Sequence, residues 1–321
     1  MGNPFMKPPT VVEEPRELEK LVERLERSPH IAIDTESNSF HAYFERICLI
    51  QISTEDEDYI VDPLTLADIE PLGSILANPG IEKIFHAASN DISGLRRDFH
   101  FKVENLFDTS IACKMLGYVQ LGLASILEQH FGVHLDKKLQ RHNWSNRPLT
   151  QEQLSYARLD THYLIGLRHI LAEALQAGDH WEGALEVFSK ASLHEIQEKV
   201  FNPDGFHRIH GAESLDPVGR SILRALYLYR DKEARRRNRA PFRILSNEAL
   251  VRLAVQQPAT PKELATVKGL SRFYRNGRAA VEIMKAIGET RERALARKAA
   301  ESAHGETDPG PARKEEAPGA R

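Results

Sequence analysis

The run Ile31-Ala32-Ile33-Asp34-Thr35-Glu36 is an apolar strand ending in acid-x-acid, and the fold is best read outward from it. Residues two apart on a strand emerge on the same side of the backbone, so Asp34 and Glu36 are placed to reach one cation. Plain solvated strand ends share this pattern, so the pair alone leaves both readings open. Downstream, residues 47–53 and 59–62 are two more β-rich runs separated by polar, turn-like stretches, and the three predict a meander. A helix over 71–77, a strand over 82–86, and helical periodicity over 91–97 and 106–116 then predict an α/β layer fold, a mixed sheet flanked by helices.

From 150 to 177 the apolar spacing is that of one long helix, with Thr150 as N-cap and Gln153 at the capping-box position. Asn202-Pro203-Asp204-Gly205 breaks the next helical stretch and marks a linker over 196–213. Residues 214–290 read as short helices divided at Pro241, at Pro258 to Pro261 and at Gly269, a small all-helical domain. The expected organisation is therefore an N-terminal extension 1–11, an α/β domain 12–195, the linker, the helical domain, and a disordered tail 291–321 poor in residues to bury.

At 321 residues the chain is long enough for two domains, and 41% hydrophobic with 28% charged residues fits an ordinary globular protein. A net charge of -3 excludes a protein that coats nucleic acid through its overall charge. Cys48 and Cys113 fall in a predicted strand and a predicted helix, which fits buried reduced thiols. No apolar run reaches the roughly 18 residues of a membrane span. Glu13, Glu14 and Glu17, soon after Pro8 and Pro9, leave no signal-peptide core, so no membrane is expected and the expected compartment is the cytoplasm.

Three further residues bear on the acid pair. Asp91 follows Phe85-His86-Ala87-Ala88-Ser89-Asn90, where a strand gives way to a helix; the helix dipole alone also favours an acid there. Tyr156 and Asp160 stand at i and i+4 and share a helix face. Together the set matches the needs of phosphodiester cleavage, in which two divalent cations about 4 Å apart stabilise the attacking and leaving oxygens. Carboxylates without a Cys or His cluster or a Gly-rich phosphate loop favour Mg²⁺ or Mn²⁺ over Zn²⁺. Tyr156, protonated at neutral pH, suits orienting a water rather than deprotonating it.

In that order, Asp34-x-Glu36, Asn90-Asp91 and Tyr156-x-x-x-Asp160 resemble the three exonuclease motifs of the DEDD superfamily, and the tyrosine resembles its DEDDy branch. Glu45-Arg46-Ile47-Cys48-Leu49-Ile50-Gln51-Ile52, Leu106-Phe107-Asp108-Thr109, Leu121-Gly122-Leu123-Ala124 and Trp144-Ser145-x-Arg147-Pro148-Leu149 resemble ribonuclease D, with Asn143 where that family has Asp. The resemblance spans about 12–290 and implies an RNase H-like exonuclease fold. It also implies that Asp34, Glu36 and Asp160 hold one metal, that Asp34 bridges to a second, and that Asp91 supports the second through water. Tyr156 would place the attacking water. Asp108 matches the family as well, but Thr109 and the helix start favour an N-cap. His86 reads as a hydrogen-bonded structural residue.

Substrate contacts are less determined. Lys137, Lys138 and Arg141 fit backbone phosphates, and equally a solvated basic turn. Phe44 or Tyr43 fits stacking on a terminal base, although aromatics near a strand more often fill core. Residues 230–243 carry seven Lys or Arg against two acids, including Arg235, Arg236 and Arg237. Residues 215–287 resemble the HRDC helical domain that follows ribonuclease D catalytic domains and assists substrate binding.

The implied function is a 3′-to-5′ exoribonuclease that releases nucleoside 5′-monophosphates from single-stranded RNA 3′ ends, such as those of tRNA precursors. Two alternatives stay open: a 3′-to-5′ DNA exonuclease of the Werner type, and a nucleic-acid-binding module with a dead exonuclease fold. Nothing in the sequence requires more than a monomer.

Overall fold

The computed structural model describes residues 7–136, 138–193 and 200–305, and residues 1–198 and 199–321 form two units. In the first unit six strands build one sheet: β1 (Thr10–Val12), β2 (His30–Ser37), β3 (Ile47–Ser53), β4 (Asp58–Val61), β5 (Glu82–Phe85) and β6 (Leu106–Asp108). Their order is β1-β4-β3-β2-β5-β6. The expected meander is present, since β2 with β3 and β3 with β4 pair antiparallel. The remaining pairings, β1 with β4, β5 with β2 and β6 with β5, are parallel, so the sheet is mixed.

Every residue of β3 is buried, as a central strand covered on both faces requires. The cover comes from α1 (Pro15–Leu25), α2 (Glu70–Leu76), α3 (Ser89–Phe99), α4 (Thr109–Met115), α5 (Leu123–Phe131), α6 (Gln151–His162), α7 (Leu164–Ala177) and α8 (Trp181–Ser192). One apolar cluster joins Ile33 and Ile52 to Leu21, Ile75 and Leu95 of α1, α2 and α3. On the other face, Cys48, Leu49 and Ile60 pack under Trp144, Leu154 and Ala157, the last two from α6. Alternation along β2 therefore sends Ile33 into the first layer and Asp34, in register with Gln51, toward α6.

Three expectations are corrected in this unit. The helix foreseen over 150–177 is two helices, broken at Tyr163, although Thr150 and Gln153 do form the capping box. Within 106–116, residues 106–108 are strand β6, because edge pairing with β5 overrides the local helical spacing. Thr10 and Val11, placed in the N-terminal extension, already belong to β1; a strand of three residues is too short for a period to register. Both cysteines are buried and free.

The second unit opens with a 3₁₀ turn at Gly205–Arg208 and continues through α9 (Pro217–Arg237), α10 (Pro241–Ile244), α11 (Asn247–Gln256), α12 (Pro261–Thr266), α13 (Arg272–Arg275) and α14 (Gly277–Gly305). Pro241 and Pro261 each open a helix, where the missing N–H is harmless. Leu223, Leu226, Leu250, Leu253, Leu264 and Ile283 form its interior. The described part of the foreseen linker is partly folded, with Phe206, Ile209 and Ala212 buried. The foreseen tail is corrected over 291–305, where Ala, Arg and Glu, all good helix formers, prolong α14; residues 306–321 lie outside the described residues. Among the described residues no helix is long and apolar enough to cross a membrane.

Candidate active site

Asp34 and Glu36 occupy the end of β2, where a register shift between Glu36 and Ser37 interrupts the pairing with β3. Such irregularities re-aim side chains at strand ends. Between the two acids, Thr35 faces the opposite way and fixes a third: its N–H donates to Asp91 Oδ1 at 3.0 Å and its hydroxyl to the same oxygen at 2.6 Å. Asp91, in the first turn of α3, is thereby tied to β2 although 56 residues separate it from Thr35. Asp160 and Tyr156 approach from α6. The structure thus brings all five expected side chains together.

The electrostatics record this convergence. Burial first, then the charges of Asp91, Asp160 and Glu36, hold the Asp34 carboxyl well above the ordinary range. Glu36 is pushed up to about 9 by burial and by Asp160 and Asp91. Burial raises Asp160 to about 7, with help from Asp91. Asp91 reaches about 6 through burial, against the lowering hydrogen bonds from Thr35. Among the described residues none of the four is salt-bridged. Four clustered oxygen donors lacking a protein counter-charge fit a hard divalent cation.

This arrangement gives metal-free protein a distinctive pH dependence. Raised carboxyl pKa values mean that the folded state binds more protons than the unfolded one between about pH 4 and about pH 9. Stability contributed by the cluster is therefore present at the low end and falls as pH rises through that window. With three of the four groups partly open to solvent, the expected loss is about 1–3 kcal/mol. Thermal melts in EDTA and in Mg²⁺ check this: Mg²⁺ should raise Tm more at about pH 8 than at about pH 5. An equal response at both pH values would remove the cluster as a cation site.

Around the carboxylates the chain builds a rigid support. Tyr156 stacks on buried Trp144 with ring centroids 5.9 Å apart. The Trp144 loop is anchored by Arg147, which donates to the fully buried Asp62 at 2.5 and 2.8 Å, to the Cys48 carbonyl at 2.9 Å and to the Trp144 carbonyl at 2.7 Å. Asn143 shapes the same loop, accepting from Ser145 Oγ at 2.7 Å and donating to Asn146 at 3.0 Å. Asp108 caps α4 and also accepts from the N–H groups of Ala87 and Ala88. His86 Nδ1 lies 2.9 Å from the Thr109 hydroxyl.

Beside Tyr156 and Asp160 opens a cavity of about 930 Å³, whose walls include Phe131, His134, Lys138 and Glu152. Lys138 is paired with Asp136 at 2.8 Å, and the Arg141 guanidinium lies 5.6 Å from the Phe40 ring centre. Lys137 lies outside the described residues. Phe44 is 54% exposed, so the expectation that it fills core is corrected; it lies in the connection between β2 and β3, outside the sheet's apolar layers. In the second unit the arginine trio divides by helix face. Arg236 and Arg237 both donate to buried Glu233, and Arg237 lies 3.9 Å over Phe273, whereas Arg235 is exposed away from them.

Thr35, Gln51 and the Asp62–Arg147 pair escaped the sequence reading. Gln51 is fully buried in register with Asp34, and neither of its amide atoms has a hydrogen-bond partner. A polar residue inside the apolar run of β3 was the available signal; Arg147 stands in the run that resembles ribonuclease D, but nothing local ties it to Asp62, 85 residues away.

A mixed sheet that presents two carboxylates at a strand end, joined by two more from flanking helices, defines a nuclease of the exonuclease class. A family model for 3′-5′ exonuclease domains matches residues 9–176, and one for the HRDC domain matches 220–287. Ribonuclease D of Gluconacetobacter diazotrophicus is 32% identical over 288 residues, covering 88% of this chain and 72% of that protein. Protein RRP6-like 3 of Arabidopsis thaliana is 33% identical over 277 residues, covering 79% of this chain but only 31% of the plant protein. The catalytic core of RRP6 from Trypanosoma brucei superposes with a TM-score of 0.82 at 28% identity, covering 92% of this chain and 82% of that one. The chain belongs to the 3′-5′ exonuclease family, in the branch that holds ribonuclease D and RRP6. That family is metal-dependent.

Proposed function

We propose that this chain is a 3′-to-5′ exoribonuclease whose site consists of Asp34, Glu36, Asp91, Asp160 and Tyr156. The observation that carries the reading is the convergence of four carboxylates, all raised by burial and three of them also by others of the set, with no protein cation paired to them among the described residues. Asp34, Glu36, Asp91 and Asp160 would hold two divalent ions, Mg²⁺ or Mn²⁺ by the all-oxygen donor set. Held by these residues, such ions would supply charge neutralisation to the cluster and stabilisation to the attacking and leaving oxygens of the phosphodiester.

The chain's own residues do the positioning. Burial and the neighbouring carboxylates drive the Tyr156 phenol above its ordinary pKa, so it keeps its proton through the physiological range. Tyr156 therefore orients a water by hydrogen bonding and does not act as its base. Its ring, fixed against Trp144, holds the hydroxyl in place. Tyr156→Phe should lower kcat about 10- to 100-fold with KM little changed, measured as release of nucleoside 5′-monophosphates. A wild-type rate in that variant would remove the assigned role.

The substrate follows from the same reading: single-stranded 3′ ends of RNA, tRNA precursors among them, taken by a cytoplasmic monomer. The likeness to ribonuclease D supports RNA. The cavity beside Asp160, lined in part by Lys138, offers room for a strand end, with Arg141 and exposed Phe44 as further contacts on the first unit. In the HRDC domain Arg235 is the phosphate contact of the trio, since Arg236 and Arg237 are both held by Glu233. The deciding experiment follows a 3′-unpaired RNA and its DNA counterpart with Mg²⁺, Mn²⁺ or EDTA. A metal-dependent ladder on RNA supports the proposal; better cleavage of DNA overturns the RNA assignment.

A further inference from the structure

At the other end of β2 from the carboxylates lies a cluster that the exonuclease chemistry does not use. His30 opens β2, Glu55 lies in the turn between β3 and β4, and His169 is on α7; one donor atom from each lies within 4.8 Å of the others. The two imidazole rings meet edge-on with centroids 5.4 Å apart, and His169 Nε2 is 3.9 Å from Glu55 Oε1. His30 Nε2 faces Glu82 Oε2 at 3.8 Å, and His30 Nδ1 is buried without a hydrogen-bond partner. Buried ring nitrogens are ordinarily answered, by protein, water or a cation.

We propose that His30, His169 and Glu55 form a second metal site, selective for Zn²⁺. Two imidazoles and one carboxylate are a donor set for a borderline cation, whereas Mg²⁺ takes oxygen ligands and belongs to the carboxylate cluster. Glu82, fixed by Arg168 through hydrogen bonds of 2.6 and 3.0 Å and 3.8 Å from His30 Nε2, would serve as the outer carboxylate beside the His30 ring. Exposed Glu55 and His169 supply the side-chain rotation needed to reach bond lengths of about 2.1 Å. At about 3.3 Å per strand residue, His30 stands roughly 13 Å along β2 from Asp34, so the two sites share no ligand. The ion would staple β2, the β3–β4 turn and α7, which are distant in sequence.

The test uses the full chain, stripped by chelation and returned to excess Mg²⁺ so that the carboxylate site is filled. Calorimetric titration with ZnCl₂ should show one Zn²⁺ per chain and a rise in Tm. His169→Ala and Glu55→Gln change side chains 49% and 61% exposed, so the fold should tolerate both. Each should weaken Zn²⁺ at least about tenfold, while Asp34→Asn leaves the Zn²⁺ affinity unchanged. Absence of Zn²⁺ binding, binding unchanged in either of the first two variants, or binding lost in Asp34→Asn would overturn the proposal.

Discussion

Asp160→Asn should reduce exonuclease activity in Mg²⁺ by on the order of a thousandfold or more while leaving the protein folded. The substitution keeps the side chain's shape and removes one negative charge from four. It costs a ligand at the cation site, yet it also removes one of the neighbouring charges that, after burial, hold Asp34 and Glu36 above their ordinary range. In EDTA at about pH 8 the variant should therefore melt at a higher temperature than the parent, by about 1 kcal/mol in stability, as sites strained for function often do. Gel ladders on a 3′-unpaired RNA and paired thermal melts read both halves. Activity within tenfold of the parent would remove Asp160 from the metal set. A lost activity accompanied by a lower Tm would show a damaged fold instead.

Asp108→Ala should destabilise the protein by about 3–5 kcal/mol, the largest stability effect of the changes considered. Asp108 is buried, and its Oδ1 accepts from the N–H groups of Ala87, Ser110 and Ile111 at 3.0, 2.9 and 3.2 Å, while Oδ2 accepts from Ala88 at 2.9 Å. Alanine leaves all of these donors unanswered at once. It also frees the turn that holds Ala87 at a φ of 60°, in the left-handed region, just before α3 delivers Asp91. Asp108→Asn, which keeps one acceptor oxygen, should fall between parent and alanine variant. Urea or thermal unfolding measures the loss. Well below its Tm the alanine variant should retain activity within about tenfold, because Asp108 supports the site without belonging to the cation cluster. Unchanged stability with abolished activity would instead make Asp108 part of the chemistry.

The two substitutions concern acids that look alike in the sequence and differ in space. Asp34, Glu36, Asp91, Asp108 and Asp160 are all strand-end or helix carboxylates, and the ordered motifs already separated four of them as a candidate site. Local pattern sufficed because each motif is set by short-range rules: alternation brings Asp34 and Glu36 to one side, and helical spacing pairs Tyr156 with Asp160. The capping box of α6 and the divisions between helices at Pro241 and near Pro261 were legible for the same reason.

What failed to register locally was decided by partners remote in the chain. Thr35 holding Asp91 and Arg147 reaching Asp62 are bonds whose second member the sequence does not announce. The break at Tyr163 and strands β1 and β6 likewise depend on what packs or pairs beside them. The sequence by itself determined the α/β class, the meander, the two-unit organisation and the candidate catalytic residues, because hydrophobic period and motif spacing are properties of neighbouring residues. Tertiary structure alone decided the pKa of each carboxylate, the anchoring of Tyr156 and the meeting of His30 with Glu55 and His169, because burial and cross-chain distance exist only after the sheet and its helices have closed around them.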